Sequence, residues 1–246
     1  MADLPERYTK DVYRGIHYVA SWPPSSTTAV GDVAVMQKRS LERVTSTAAL
    51  GLPTQTITGA KVEERGWASQ KTVTLAPKVG AAAPLDPAIA ATAEMNVEFN
   101  AKHAILLRAE RSRERSLDRL SHIKKEMLRL HEEGEWEPDW LLVTHVVQAR
   151  RLFVLISSEK GASAQLRLSA GVAQDAGALA TASGELNVAN HQGMAYSEIG
   201  IENATPLYQA LRVQRRRIRG NRVKRIGRRG RARPGEGEFE IVPVSF

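Results

Sequence analysis

The chain has 246 residues, enough to bury a proper core as one domain or two small ones, and its 42% hydrophobic and 25% charged content is ordinary for a globular protein. It contains no cysteine, which excludes disulfides, thiol nucleophiles, cysteine-ligated zinc and a palmitoyl anchor. Since no stretch approaches 18 consecutive apolar residues and no apolar region follows the N-terminus, we expect synthesis in the cytosol, without a transmembrane helix or a secretory signal.

The formal net charge of +8 is concentrated near the C-terminus. Residues 212–233 contain twelve Arg and Lys and no acid, which leaves 23 basic and 24 acidic residues in the chain up to Leu211. The body is therefore near neutral, and the basic arm indicates an anionic partner or a solvated tail.

Short elements are predicted for the first 70 residues. Residues 1–28 are polar and rich in turn residues, with a weakly alternating first strand at 13–22. Residues 31–44 predict two short strands in a hairpin around Gln37–Ser40. Residues 45–53 predict a short helical turn that stops at Gly51 and Pro53. Residues 54–70 are predicted to be a loop with a brief strand.

Two alternating segments follow, separated by a link rich in Gly, Ala and Pro. Residues 69–77 alternate, with Val73 and Leu75 on one face. From Ile89 to Leu107 the odd-numbered residues are apolar, while the even-numbered ones are mostly polar up to Lys102. The period of two favours one long strand, and a helix with a charged stripe along one side is the alternative interpretation. Strands usually run about five or six residues, and a tilted strand crosses a bilayer in about 9–11. This one is therefore either a half-buried strand of an α+β domain or a membrane-crossing strand.

A helix is predicted over the charged run from Arg111 to Trp136. Its apolar residues recur at helical spacing, and Gly134 provides a normal stop. His122 and His131 lie nine residues apart, which does not suit a shared metal ion, so we expect surface histidines.

The region from 140 to 218 is predicted to be mostly strand. Residues 141–147 and 152–157 are apolar on both faces, as in a central strand covered on both sides, with a bulge or turn at Gln148–Arg151. A hairpin turn follows at Glu159–Ser163, then an Ala/Gly-rich loose helix. Two strands flank the turn at 191–193, and a last strand runs through Leu207, Leu211 and Val213. Two similar excursions, each a strand, a small-residue insert and a strand, therefore span about 68–108 and 140–202.

The C-terminus combines a Gly/Arg/Pro-rich linker with a short apolar β-type segment, Glu238–Phe246. Such a segment needs a docking place, and we expect it to pair with the body.

No sequence pattern supports an enzyme. The chain lacks GxSxG, HExxH, Walker A, dinucleotide-binding and EF-hand motifs, and its histidines do not cluster. We therefore predict no catalytic residue, no cofactor and no metal site.

The order of elements resembles bacterial gasdermins. The resemblance covers about residues 15–217 and rests on element order and texture. It is carried by GDVAVMQKRSLERVTSTAALG, TAEMNVEFNAKHAILLRAE, DWLLVTHVVQARRLFVLISS, ELNVAN and TPLYQALRV. It implies an α+β fold with a twisted, mainly antiparallel central sheet and surrounding helices. Residues 1–225 would form the pore-forming domain, and 226–246 the basic linker with an inhibitory segment.

The resemblance also implies a mechanism. Removal of the C-terminal segment would let two excursions refold into long membrane-spanning β-hairpins of an oligomeric barrel, killing the infected cell in anti-phage defence. Hairpin 1 would come from 68–79 and 89–107, and hairpin 2 from 140–157 and 185–202. The protein would be cytoplasmic when inactive and lie in the inner membrane when active. The implied membrane-inserting residues are Val73, Leu75, Ile89, Ala91, Ala93, Met95, Val97, Phe99, Leu142, Val146, Phe153, Leu155, Leu186, Val188, Ile199 and Ile201.

The implied partners are an activating protease, anionic lipids and further copies of the chain, with no small-molecule substrate. The implied cleavage sites are Arg229, Arg231 and Arg233. Family members often carry an N-terminal cysteine for acylation, and this chain has none. Basic residues worth about 1 kcal/mol each near an anionic leaflet could anchor it instead. These residues are Arg215, Arg216, Arg217, Arg219, Arg222, Lys224 and Arg225.

Two other functions remain open from the sequence. The arm at 212–233 could bind nucleic acid, although it has no interleaved aromatic residue for stacking. Alternatively, the C-terminal strand could assemble copies of the chain by adding to a sheet edge. For the pore, a charge placed at Val97 is expected to block membrane leakage while leaving the soluble fold intact.

Overall fold

The structure is a computed structural model that describes residues 4–69, 72–77, 93–168, 186–215 and 239–244. The described residues form two helices and twelve strands, which confirms an α+β fold. In chain order these are α1 (Leu4–Ile16), β1 (Val19–Ala20), β2 (Asp32–Gln37), β3 (Ser40–Ser46), β4 (Thr56–Ala68), β5 (Val73–Pro77), β6 (Ala93–Phe99), β7 (Ile105–Leu117), α2 (Leu120–Glu132), β8 (Leu141–Ser157), β9 (Ala162–Leu168), β10 (Leu186–Gln192), β11 (Met194–Arg215) and β12 (Phe239–Pro243).

Strand β8 is the centre of the larger sheet, which we call the central sheet. Its two faces are apolar, and both are buried. Strand β11 pairs with one edge of β8, while β7 and β2 pair with the other edge. β4 continues the sheet beyond β7, β3 pairs with β2, and β1 and β12 pair with the outer edge of β11. All these pairs are antiparallel, as predicted.

Different elements cover the two faces of the central sheet. Helix α1 packs on one face, where Tyr8 and Val12 join a cluster that includes Leu152, Val154 and Ile156. The alternate residues of β8, Phe153 and Leu155, point the other way, into a core shared with the second sheet. This second sheet, the small sheet, has the strand order β5–β6–β9–β10. Helix α2 packs at the start of β8.

Several local predictions are confirmed. The hairpin at Gln37–Ser40 joins β2 to β3, with Lys38 and Arg39 both in the left-handed conformation (φ 46° and 71°) that such tight turns need. Gly134 lies just beyond α2 with φ 78°, the usual helix stop. The C-terminal segment pairs with the body, as β12 against β11.

Four predictions for the first 117 residues are wrong. Residues 1–28 contain helix α1, and strand is confined there to the two residues of β1. Residues 54–70 contain the thirteen-residue strand β4, whose polar sequence suits the edge of a sheet. The helix predicted from Arg111 begins only at Leu120, because β7 is paired on both edges up to Ser116. The stretch Ile89–Leu107 is not one straight strand, because it leaves the small sheet after Phe99 and enters the central sheet at Ile105.

Three predictions for the later chain are also corrected. β8 runs unbroken through Gln148–Arg151, which excludes the turn of the predicted bulge or turn, while the register with β11 shifts between Ala149 and Val147. Glu159–Ser163 is not a hairpin turn, because β8 and β9 lie in different sheets. The strands predicted at 195–203 and from 205 onward form a single strand, β11, with register shifts against β8.

Candidate functional site: the corner between the two sheets

Four neighbouring strands of the central sheet have the same order as the four strands of the small sheet. The central order is β4–β7–β8–β11, and the small-sheet order is β5–β6–β9–β10. Along the chain, each strand of the small sheet directly precedes or follows the central strand that has the same place in the order. The four pairs are β4 with β5, β6 with β7, β8 with β9, and β10 with β11. The small sheet is therefore a continuation of the central one, folded back over it at a corner.

Hydrogen bonds continue between the same neighbouring strands across this corner. Between the β7 and β8 strands, His103 N donates to Ser157 O at 2.9 Å, and Ser157 N donates to Ala104 O at 3.0 Å. Ser158 N donates to Gly193 O at 2.8 Å, and Gly161 N donates to Phe99 O at 2.8 Å. Strand pairing is thus preserved through the bend, and only the direction of the strands changes.

Serine hydroxyls add further hydrogen bonds to backbone groups at the bend. Ser157 is fully buried, and its Oγ donates to Ala101 O at 2.7 Å and accepts from Ala104 N at 2.9 Å. Ser69 Oγ accepts from Ile105 N at 3.0 Å, and Ser158 Oγ donates to Gly193 O at 2.8 Å. Buried backbone groups left without a partner are costly, so these serines stabilise the bend.

Among the described residues of the corner, three have the left-handed backbone conformation, each on a different connection. His103, Gly161 and Gly193 have φ values of 62°, 87° and 68°. At Gly193 a Cβ would also lie 3.1 Å from the Cα of Ala162, so a larger residue would be both strained and crowded.

Eight of the sixteen residues implied to insert into the membrane meet in the core between the two sheets. Val97 and Phe99 are fully buried there, on the odd-numbered face of β6. This core includes Val73, Met95, Val97, Phe99, Phe153, Leu155 and Leu186, with Val188 packed against it. A charge at Val97 would therefore be buried in this fold, and the expectation that it leaves the fold intact is wrong.

The remaining residues of that set lie elsewhere. Leu142 and Val146 belong to two other clusters of the central sheet, Ile201 packs partly on the α1 side, and Ile199 is 36% exposed. Leu75 and Ala93 belong to β5 and β6, and their side chains are not described; Ile89 and Ala91 lie outside the described residues.

The arms of the second excursion also differ from the prediction. The strands that flank residues 169–185 directly are β9 and β10, whereas β8 is the central strand of the larger sheet. Because β6 pairs with β9 in antiparallel register, Ala93 lies opposite Leu168, and Leu168 lies opposite Leu186. Both excursions therefore leave the small sheet at its same end.

A buried ion pair lies beside this end of the small sheet. Glu110 Oε1 accepts from Arg108 Nε at 3.1 Å and from the backbone N of Leu186 at 2.8 Å. Arg108 is fully buried, and Arg151 Nη1 lies 3.6 Å from the second carboxylate oxygen. No sequence pattern had singled out this network, because Arg108 and Glu110 precede the helix predicted from Arg111 and neither residue belongs to a recognisable motif.

Strand β12 covers part of the outer edge of β11. The pairing begins with Leu211 opposite Pro243 and ends with Arg215 opposite Phe239. The ring centroid of Phe239 lies 4.6 Å from that of His131. Among the described residues no strand pairs with this edge of β11 from Met194 to Ala204, nor with the outer edges of β4, β5 and β10. The four-stranded unit thus presents strand edges on both sides.

The tail residues lie largely outside the described part of the chain. Arg215 ends β11, and its side chain is not described. The other residues implied to contact lipid and those implied to be cut fall outside the description: Arg216, Arg217, Arg219, Arg222, Lys224, Arg225, Arg229, Arg231 and Arg233.

Comparisons with protein-family models, with curated proteins and with solved structures found no match to this chain. In the described ranges no group of three or more His, Asp or Glu side chains is arranged to hold a metal ion. Neither helix of the described structure is long and apolar enough to cross a membrane.

Proposed function

We propose that the chain is a pore-forming protein, of the kind that its resemblance to bacterial gasdermins implies, and that it opens at the corner. The observation that carries the proposal is the shared strand order of the two sheets. Because neighbouring strands stay paired through the bend, straightening it requires no exchange of strand partners. It would join β4 to β5, β6 to β7, β8 to β9 and β10 to β11.

The lengths of the joined strands, and the apolar face that they bury between the two sheets, suit a bilayer. Each joined strand would exceed about 20 residues, compared with the about 9–11 that a tilted strand needs to cross. Opening would release the apolar core between the sheets, at about 1.5–3 kcal/mol for each large side chain left in water. Lipid accepts the same side chains without that cost, so the open form is favoured only at a membrane.

The strand edges supply the means of assembly. Backbone groups in lipid must be paired within the protein, so a four-stranded unit with two edges needs neighbouring copies. Strand β12 occupies the edge of β11 that a neighbour would use, which suits an inhibitory role for residues 239–244. On this view the partners are anionic lipids, further copies of the chain and a protease that cuts the linker. The work is mechanical rather than enzymatic, in defence against phage at the inner membrane.

Dye release from liposomes that contain anionic bacterial lipids tests the proposal. The chain truncated at Arg233 should release dye, while the intact chain should not. If every truncation near Arg233 is silent, the pore proposal fails.

A matched pair of variants tests whether the strands enter lipid. Ile199 and Val44 are both exposed in the soluble fold, at 36% and 48%, so a lysine is tolerated at either position. Ile199 belongs to the implied membrane-inserting set, whereas Val44 lies on β3, outside the four-stranded unit. In the truncated chain Ile199→Lys should abolish dye release and Val44→Lys should preserve it. Equal release from both would contradict the insertion of β11.

A further inference from the structure

A cationic cavity lies between helix α1 and the outside of the corner. Its volume is about 550 Å³, within the range of small-molecule sites, about 300–1,000 Å³. Helix α1 contributes Arg7, Asp11, Arg14 and Gly15, and the corner contributes Lys102 and His103.

The charge of the lining is positive. The lining has three cations, Arg7, Arg14 and Lys102, and one carboxylate, that of Asp11. Its formal net charge is therefore +2 when His103 is neutral. Asp11 lies 3.7 Å from Arg7 Nε and 3.8 Å from Arg14 Nη1, at the outer limit of an ion pair. Each guanidinium carries five N–H donors, so one long contact leaves most of them for a ligand.

The charges of the lining also act on His103. Its partial burial lowers the pKa of the imidazole, and the charges of Arg7 and Lys102 lower the pKa further. The Nδ1 atom is buried and, among the described residues, has no hydrogen-bond partner. The residue also has φ 62°, a conformation that is uncommon for a residue other than glycine. That conformation belongs to the bend of the corner, and the buried Nδ1 does not reach the cavity, so the charge of the lining rests on Arg7, Arg14 and Lys102.

The wall of the cavity is set by a close approach. A Cβ on Gly15 would lie 2.1 Å from Nε1 of Trp67, so only glycine lets the indole lie against the helix. Trp67 gives the cavity an aromatic wall beside its cations. The combination favours a ligand with an anionic group and a larger uncharged part.

We propose that the cavity binds a phosphate-bearing small molecule, held by Arg7, Arg14 and Lys102. Guanidinium groups recognise phosphate oxygens through paired N–H bonds, and lysine adds a point charge. The space beside the three cations has room for more than a bare phosphate ion. The binding site exists in the folded-back state and stands independently of the proposed pore.

Isothermal titration of the intact chain with inorganic pyrophosphate, at constant ionic strength, tests the site. Wild-type protein should bind one equivalent. Arg14→Gln and Lys102→Gln should each raise the dissociation constant roughly three- to tenfold, since each removes a charged phosphate contact. Lys125→Gln, an exposed lysine on α2, should leave it unchanged. Absence of pyrophosphate binding to the wild type, or equal weakening by all three variants, would overturn the proposal.

Two further arms separate the alternatives. A second cationic hollow of about 460 Å³ is lined by Arg111, Arg113 and Arg150. Binding that is lost in Arg150→Gln but kept in Arg14→Gln would assign the anion to that hollow and overturn the proposal. Vesicles of anionic phospholipid are tested in parallel. Capture by vesicles that depends on Arg14, with no binding of pyrophosphate, would identify a lipid headgroup and exclude a soluble ligand. Because the titration uses uncut protein without membranes, its failure is distinct from failure of the pore.

Discussion

A disulfide between β11 and β12 should keep the protein inactive even after its linker is cut. Gln214 and Glu240 face each other in the antiparallel pair, with their side chains 3.4 Å apart. Cα atoms in such pairs are about 4.5–5.5 Å apart, which suits a disulfide. The chain has no cysteine, so Gln214→Cys with Glu240→Cys creates a single possible bond.

The size of the effect follows from the tether. Phe239 and Ile241 are only half-buried. Full burial of such a side chain stabilises by about 1.5–3 kcal/mol, whereas ordering each residue of the segment costs about 1–2 kcal/mol of conformational entropy. The free segment should therefore bind weakly. While it is tethered, its effective concentration is on the order of millimolar. Cutting at micromolar protein lowers this about a thousandfold, roughly 4 kcal/mol, and releases β12.

The assay is liposome dye release with a specific protease site placed between residues 228 and 233. Cut protein with the disulfide should be silent and should release dye when a reductant is added. The two single-cysteine variants should release dye after cutting with or without reductant. Equal release from the oxidised and the reduced double variant would refute the idea that departure of β12 activates the protein.

Three further predictions concern the folded state, each measured by urea unfolding. Val97→Asp should lower the free energy of unfolding by at least about 3 kcal/mol, because it buries a carboxylate in the core between the sheets. Glu110→Ala should cost about 3–5 kcal/mol, since it removes the carboxylate that pairs with buried Arg108. Tyr8→Phe should preserve or raise stability, because the buried Tyr8 hydroxyl has no partner among the described residues, and it should flatten the loss of stability at alkaline pH.

The sign of the alkaline effect follows from burial. Burial raises the pKa of Tyr8 well above its ordinary value of 10.0, so the folded state holds a proton that the unfolded state releases. The stability linked to Tyr8 is complete below pH 10.0 and falls as the pH rises above it. An equally steep alkaline loss in wild type and Tyr8→Phe would contradict this assignment.

Matched controls accompany the three variants. Glu98→Gln changes an exposed neighbour of Val97 and should alter stability by less than about 0.5 kcal/mol. Glu126→Ala removes an ion pair with Arg129 that is partly exposed to solvent and should cost less than about 1 kcal/mol. Tyr196→Phe, unlike Tyr8→Phe, should destabilise the fold, because it loses the 2.6 Å hydrogen bond to Glu198.

Local periodicity correctly predicted which side chains of a strand share a face, but it did not predict which elements cover that face. The alternation around Val97 identified which side chains share a face, and the structure buries that face. From Ala104 onward both registers are apolar, and the structure buries both in β7. The same pattern could not indicate the corner, because the bend depends on partners far along the chain, such as Ser157 with Ala101.

Polar strands and the first helix were missed for a related reason. Strand β7 carries alternating charges that also suit a helix, and pairing with β4 and β8 decides in favour of strand. Helix α1 did have a signal, since Leu4, Tyr8 and Val12 recur at i, i+4 and i+8, but the charges between them concealed it.

The sequence by itself determined the elements whose cause is local: the turn at Gln37–Ser40, the helix stop at Gly134, and an apolar C-terminal strand that needs a partner. Only the tertiary structure decided that the small sheet is the central sheet folded back, that Glu110 is buried beside Leu186, and that a cationic cavity lies behind the corner. The physical reason is that a side-chain pattern reports which residues share a face. Which element covers that face, and where a strand bends, depend on hydrogen bonds and packing between residues distant in the chain.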